Sequence, residues 1–424
     1  MIIGFDASRA FVSEPTGTEN YSFQLLKALS QIDKKNTYRV YLASQGLTPS
    51  GLSLRVEDLR GWPENFQFKV INWPRLWTQG GLALECLLNP PDVLFIPAHT
   101  LPVIRRPNLK TVVTIHDLGA EYLPQYHQFP QKYYLNWATI YAVKNAARII
   151  AVSQNTSKDL ITKLHCDIQV IRVIGEGVDV DKFKIPAFAE ASAGKQNSKI
   201  EQVLRRYNIP KPYILFVGTI QPRKNLVRLI EAFAQITSRS VNQKTQSVSK
   251  SAVQKNQTIR ESDISELPKH RFTELSGLTL VLVGKPGWMY EEIYAVPKRL
   301  GLSDKVKFLN FVSDQDLAIL YKEASVFCLP SLYEGFGLPV LEAMAAGVPV
   351  VASKTSSLPE IVGDSGVLVD PYDAHDIAQG LKKILQNQKL RETLIKKGKE
   401  RVEKFSWVKT ARQTLKVLEE ACSN

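Results

Sequence analysis

Short apolar runs bounded by turn residues alternate along this chain with longer segments whose apolar positions recur at helical spacing. That order is the pattern of a parallel sheet wound with helices. In the first half the runs predict strands at 1–6, 38–43, 67–71, 92–96, 111–115, 148–152 and 168–174, with helices near 18–31, 130–146 and 154–164. The second half repeats the scheme. Its strands are expected at 213–217, 278–283, 306–309, 325–329, 349–352 and 366–369, and its helices near 225–237, 289–300, 314–323, 338–346, 373–387 and 390–403. Two separately wound sheets leave a cleft between them, and ligands of such folds bind at the carboxyl ends of the strands. The junction falls in 181–211, where DKFKIPAFAEASAGKQNSK shows no sustained apolar period. A second polar tract, 238–268, is too rich in Ser, Gln, Lys, Asn and Thr to bury apolar surface and is expected to be a mobile surface insertion.

Length and composition narrow the classes that remain. The 424 residues, 44% hydrophobic and 22% charged, exclude a disordered chain or a small disulfide scaffold. Cys86, Cys166, Cys328 and Cys422 form no C-x-x-C pair, which argues against a zinc cluster and fits thiols in a reducing compartment. The start, MIIGFDAS, reads as a strand and not a leader, and no run of about 18 apolar residues follows, so a cytoplasmic location is expected. The net charge of +13 calls for an anionic partner. Residues 1–180 hold 18 basic against 15 acidic side chains, so the excess lies in the second half. Part of it is a run from Lys382 to Arg401, which reads as a solvated helix face or as peripheral contact with an anionic membrane. No aromatic-interleaved basic motif supports nucleic-acid binding.

The most informative stretch is SLYEGFGLPVLEAMAAGVPVVAS, residues 331–353. A strand ends, a loop carries Glu334, Gly335 and Gly337, and Pro339 suits the first turn of a helix. Glycines at 335 and 337 let the backbone approach a ligand, and the N–H groups of Phe336, Gly337 and Leu338 can then face a diphosphate. Glu342 follows Glu334 by eight positions, roughly two helical turns, so both carboxylates can face one cleft. A dinucleotide fingerprint would place a third glycine where Val340 stands, and would follow the first strand. Arg223 and Lys224, just after a second-half strand, can stabilise a leaving diphosphate by a guanidinium fork and an ammonium. His116 ends the run VVTI and should stand at the carboxyl end of its strand. Two D-x-D patterns, Asp179 to Asp181 and Asp314 to Asp316, read as a junction turn and a helix N-terminus and not as a metal site.

With its neighbours this segment resembles the retaining nucleotide-sugar glycosyltransferases of family four. Matching segments are PTGTENYSFQLLKAL (15–29), VVTIHDL (112–118), AVSQNTSKDL (151–160), VIGEGVD (173–179), FVGTIQPRKNL (216–226), LVLVGKPGW (280–288) and FSWVKTA (405–411). The resemblance implies the GT-B fold: two facing Rossmann-like, doubly wound parallel-sheet domains with a C-terminal crossover helix. The first domain is then 1–181 with the helix 405–424, the linker 182–211, and the nucleotide-sugar domain 212–404. It further implies that Glu334 contacts the donor sugar and Glu342 the ribose, while Phe336, Gly337 and Leu338 hold the diphosphate with Arg223 and Lys224. The resemblance also implies that His116 touches the donor sugar and helps stabilise the transition state. Gly17 occupies the family's glycine-loop position, although PTGTENY lacks a second close glycine. The expected reaction is metal-independent hexosyl transfer from a nucleoside diphosphate sugar, with no cofactor, to a glycan or lipid-linked acceptor. PRKNL, VGKPGWMYEEI and HDLGAEYLP look like the mannosyltransferase branch and point to GDP-mannose, with UDP-glucose or UDP-N-acetylglucosamine as the alternative donor. A non-catalytic glycan-binding protein on the same fold is the rival class.

Overall fold

The computed structural model describes residues 1–12, 16–43, 60–73, 76–118, 131–183, 193–237 and 275–423; the polar tract 238–268, Pro15 and residues 119–124 of HDLGAEYLP lie outside them. The chain divides into two compact units. The first comprises Met1–Asp179, Tyr333–Leu338 and Glu403–Asn424, and the second Val180–Leu332 and Pro339–Val402.

In the first unit β1 (Ile2–Asp6), β2 (Thr37–Ala43), β3 (Phe66–Ile71), β4 (Val93–Ile96), β5 (Lys110–Ile115), β6 (Arg148–Ala151) and β7 (Ile171–Val173) form one sheet. Its order is β3-β2-β1-β4-β5-β6-β7, parallel at every pairing. Successive side chains point to opposite faces, and both faces are covered. Ile3, Phe5, Val93, Phe95 and Ile150 enter one core with Tyr21, Leu25 and Leu29 of the helix Gly17–Ile32. Leu94, Ile96, Ile149 and Ala151 enter the other with Cys86, Ala142, Val143 and Leu160. The helix Gly17–Ile32 starts where the pattern requires, because Thr16 and Glu19 form a reciprocal capping box.

The last helix, Trp407–Ser423, belongs to this unit and completes its first core. Trp407, Ala411, Leu418 and Ala421 share the cluster with Tyr21 and Leu25, and the Trp407 and Tyr21 rings meet edge to face at 5.8 Å. Thr410 donates to the Gly175 carbonyl at 2.8 Å, and Arg172 pairs with Glu420 at 3.1 Å. Gly177 has no alternative here: a Cβ would lie 2.3 Å from the Trp407 nitrogen.

The second unit holds β8 (Tyr213–Val217), β9 (Thr279–Val283), β10 (Val306–Leu309), β11 (Val326–Leu329), β12 (Val350–Ser353) and β13 (Val367–Val369). They pair in parallel in the order β10-β9-β8-β11-β12-β13. In each unit the winding reverses once, between β1 and β4 and between β8 and β11. Such a reversal opens a crevice at the carboxyl ends of the strands.

Two local expectations need correction, and one helical stretch has no counterpart among them. Residues 168–170 form a 3-10 turn and not strand, because the Asp167 carboxylate accepts from the Gln169 N–H. The junction 181–211 contains a helix, Ala193–Arg206, whose Val203 is buried and whose last residue Arg206 pairs with Asp316 at 2.8 Å. Val203 is the one deeply buried position among residues 198–206, whose side chains are described, too sparse a signal to read as a period. Residues 78–88 are also helical, a π turn Thr78–Leu82 leading into Ala83–Leu88, where the glycine pair hides a packing role. A Cβ at Gly80 would come 2.0 Å from the Trp73 ring.

The run from Lys382 to Arg401 lies on the helices Ala374–Leu385 and Gln388–Val402, where Lys397 pairs with Asp364 at 2.6 Å and the Arg401 guanidinium bonds the Ile361 carbonyl. All four cysteines are free thiols, and no helix among the described residues is long and apolar enough to cross a membrane.

Removing residues 405–424 should strip the first core of a face and lower the denaturation midpoint of that unit, and Trp407→Ala alone should cost about 3 to 5 kcal/mol in chemical denaturation. A truncated chain with an unchanged midpoint would show that the helix is dispensable to the core.

Candidate active site

The strand ends of the first unit bring together groups that lie far apart in sequence. β5 ends at Ile115 and His116 follows, with Nδ1 3.3 Å from Glu176 Oε1 and Nε2 3.0 Å from the Pro97 carbonyl oxygen. Both neighbours only accept, so the imidazolium, with two N–H donors, satisfies both. Burial by itself would depress the His116 pKa. The hydrogen bond and charge of Glu176, the Pro97 carbonyl and the charge of Asp117 outweigh it, and the pKa is raised. His99 lies nearly parallel at 5.8 Å and accepts the His116 backbone N–H at 3.1 Å. Burial, with the adjacent His116 charge, drives His99 down to about 4, so it stays neutral. Sequence reasoning passed over His99 and Glu176. Glu176 does stand in the VIGEGVD segment, but only the fold carries position 176 to position 116.

The glycine loop between β11 and the next helix is anchored in the first unit. Tyr333 donates to Asp159 Oδ2 at 2.7 Å, and the Thr156 hydroxyl donates to the Gly335 carbonyl at 3.4 Å. The two glycines are required for different reasons. A Cβ on Gly335 would sit 1.9 Å from the His116 carbonyl oxygen, whereas Gly337 holds φ at 104°. Glu334 and Phe336 are buried, and the Phe336 ring meets Phe405 at 5.9 Å. Leu338 opens the helix Leu338–Ala345, whose first N–H groups have no acceptor inside the helix.

The spacing of Glu334 and Glu342 does not mean what helical periodicity suggests. Residues 334–337 lie outside the helix, because Gly337 cannot hold its φ and a helical turn together, so Glu342 is a little over one turn from the start. The two carboxylates belong to different units. Glu342 accepts from the Tyr321 hydroxyl at 2.8 Å. Burial raises its pKa, against the opposing effects of Lys182 and that hydrogen bond.

Arg223 and Lys224 lie in the turn Pro222–Lys224 that follows β8. Asn225, at φ 61°, fixes this turn: its Nδ2 donates to the Pro330 and Pro371 carbonyls at 3.0 and 2.6 Å. The Arg223 carbonyl accepts from Leu332 N at 2.9 Å, so the turn is tied to the chain just ahead of Tyr333. Lys224 is buried to 9% exposure. Gly17 opens the helix Gly17–Ile32, and among the described residues no heavy atom lies within 4 Å of a Cβ built there. Packing therefore does not explain that glycine.

Asp314 and Asp316 lie in the first turn of the helix Asp314–Glu323. Asp314 pairs with Lys182 at 2.8 Å, and Asp316 binds Arg206 and the Tyr207 hydroxyl at 2.8 and 2.9 Å. Among the described residues no three His, Cys, Asp or Glu side chains are grouped to hold a metal.

Known proteins agree with this architecture. Glycosyltransferase Family 4 matches residues 15–182, and Glycosyl transferases group 1 matches residues 255–401. O-antigen chain mannosyltransferase B of Escherichia coli is 28% identical over 307 residues, covering 72% of this chain and 69% of its own. Serotype-specific mannosyltransferase WbdA of Escherichia coli is 28% identical over 325 residues, 74% of this chain, but the chain spans only 33% of that relative's length. The fold of Anabaena HepE, crystallised in complex with UDP and glucose, aligns over 99% of this chain and 100% of its own with a TM-score of 0.69 at 20% identity. With both family regions on one chain and two parallel Rossmann-like units, the chain has the GT-B fold and is family-four-like and mannosyltransferase-like.

Proposed function

We propose that this enzyme transfers mannose from GDP-mannose to a hydroxyl of a glycan or lipid-linked acceptor, with retention at the sugar carbon. The observation that carries the reading is the glycine loop, with buried Glu334 beside it and Gly335 pressed on the His116 carbonyl. The mannosyltransferase names of the relatives support the sugar. In this reading Glu334 accepts from donor sugar hydroxyls and Glu342 from the ribose. The N–H groups of Phe336, Gly337 and Leu338, with Arg223 and Lys224, hold the diphosphate. His116 stands by the donor sugar as a fixed cation oriented by Glu176, and Gly17 leaves space for phosphate or acceptor.

The chemistry is then a same-face displacement. The bond from the sugar carbon to the β-phosphate oxygen breaks and its electron pair goes to the phosphate. The acceptor oxygen bonds the oxocarbenium-like carbon from the same face, and its proton passes to the departing phosphate oxygen. The chain contributes orientation and preorganised charge.

Incubation with a panel of nucleotide sugars should release GDP from GDP-mannose, and turnover should survive EDTA. Release from a UDP-sugar alone would overturn the donor, and activity lost to EDTA and restored by manganese would overturn metal independence.

Arg223→Ala should raise the transition-state barrier by about 2 to 4 kcal/mol while changing ground-state binding less. An unchanged kcat would remove it from the site. In calorimetry Glu342→Ala should weaken binding of bare GDP, whereas Glu334→Ala should spare that affinity and lower turnover. Equal weakening by both would show that the sugar does not sit beside Glu334.

A further inference from the structure

Tyr321 is a fully buried phenol at the heart of the second unit, and nothing in the reaction described above uses it. Its ring packs between Phe183 and Phe327, with centroid distances of 5.6 Å to each, and it is 0% exposed. A buried phenol hydroxyl needs a partner. Here the partner is Glu342 Oε2, at 2.8 Å. The donor stands on the helix Asp314–Glu323 and the acceptor on the helix Leu338–Ala345, so the bond ties one helix to the functional carboxylate of another.

We propose that Tyr321 is a positioning residue for nucleotide recognition: its hydroxyl fixes the Glu342 carboxylate through Oε2 and leaves Oε1 to accept from the ribose hydroxyls of a nucleoside diphosphate. The inference rests on the reading that Glu342 takes the ribose. A phenol suits this task, since it donates one hydrogen bond from a stiff ring with few rotamers to lose. Aromatic packing on both sides fixes where that donor stands. A water in its place would be mobile, and a lysine would bring a charge that burial opposes.

The charges around Glu342 give the proposal a pH signature. Burial raises its pKa; Lys182 and the Tyr321 hydrogen bond pull it down, and Asp314 pushes it up. Lys182 is itself paired with Asp314 at 2.8 Å, so its charge is partly spent. The ionised carboxylate is the form that accepts from two ribose hydroxyls. Affinity should therefore be full above the Glu342 pKa and fall as pH drops through it. Without the Tyr321 hydroxyl that pKa lies higher, so the fall begins at higher pH.

The test is calorimetric titration of the full-length enzyme with GDP, and with UDP as a second probe, from pH 5.5 to 8.5. Tyr321→Phe keeps the ring between its two aromatic neighbours and removes only the donor. It should weaken nucleotide binding about tenfold, the scale of one hydrogen bond to a charged group, and move the midpoint of the acid-side loss upward. The KM for the donor should rise with kcat at saturation close to that of the unaltered enzyme. Glu342→Gln, similar in size but unable to ionise, should bind weakly with no acid-side transition. Should Glu342→Ala bind GDP and UDP as the unaltered enzyme does, the ribose reading itself falls. If that variant binds weakly while Tyr321→Phe matches the unaltered enzyme in affinity and midpoint, the reading stands and Tyr321 has no positioning role. Weaker binding by Tyr321→Phe with an unmoved midpoint would likewise overturn the proposal, since lost packing would then explain it.

Discussion

A parallel sheet buried on both faces has no face left for chemistry, and this constraint shapes both units. In the first, the residues of β4, β5 and β6 divide between two apolar cores, so a polar side chain that is to meet a ligand must stand beyond a strand's last residue. His116 follows β5, and the turn of Arg223 and Lys224 follows β8. The backbone is equally crowded there. Gly335 lies against the His116 carbonyl and Gly284 against that of Gly218, where a Cβ would approach to 1.9 Å in each case. Close backbone approach at strand ends, and not loop mobility, sets the shape of these regions.

Much of this was legible because its causes are local. Short apolar runs became the strands of both sheets, and helix starts followed capping residues such as Thr16 and Ser313. The glycine loop and its flanking acids were visible as a motif, and so was the turn of Arg223 and Lys224. What stayed hidden depends on contacts distant in sequence. Glu176 orients His116 across 60 positions, and Tyr321 reaches Glu342 across 21 from another helix. Asn225, which pins the basic turn to the chain after β11 and β13, looks in sequence like any turn asparagine. The interval between Glu334 and Glu342 misled for a related reason: counting residues assumes a continuous helix, and one positive φ at Gly337 ends that assumption.

Charge is managed in pairs throughout. The neighbouring rings of His116 and His99 are shifted in opposite directions because one faces a carboxylate and a carbonyl while the other accepts a backbone N–H. Burial pushes both toward neutrality, and only the ring with an anionic partner resists. The acids of the second D-x-D pattern show the same economy. Asp314 and Asp316 reach Lys182, Arg206 and Tyr207, binding segments that precede β8 to the helix Asp314–Glu323.

The placement of the helix Trp407–Ser423 has a consequence for biosynthesis. Tyr21, Leu25 and Phe5 are made early, yet the residues that cover them, Trp407, Ala411 and Leu418, emerge only after the whole second unit has been synthesised. During translation the first sheet must wait with one face incompletely covered, at a sequence separation that makes closure slow. The second unit, continuous from Val180 to Val402 apart from Tyr333–Leu338, meets no such delay. On the ribosome, the unit whose sheet is made first therefore cannot complete its first core until the residues from Trp407 onward have emerged, after nearly all of the second unit.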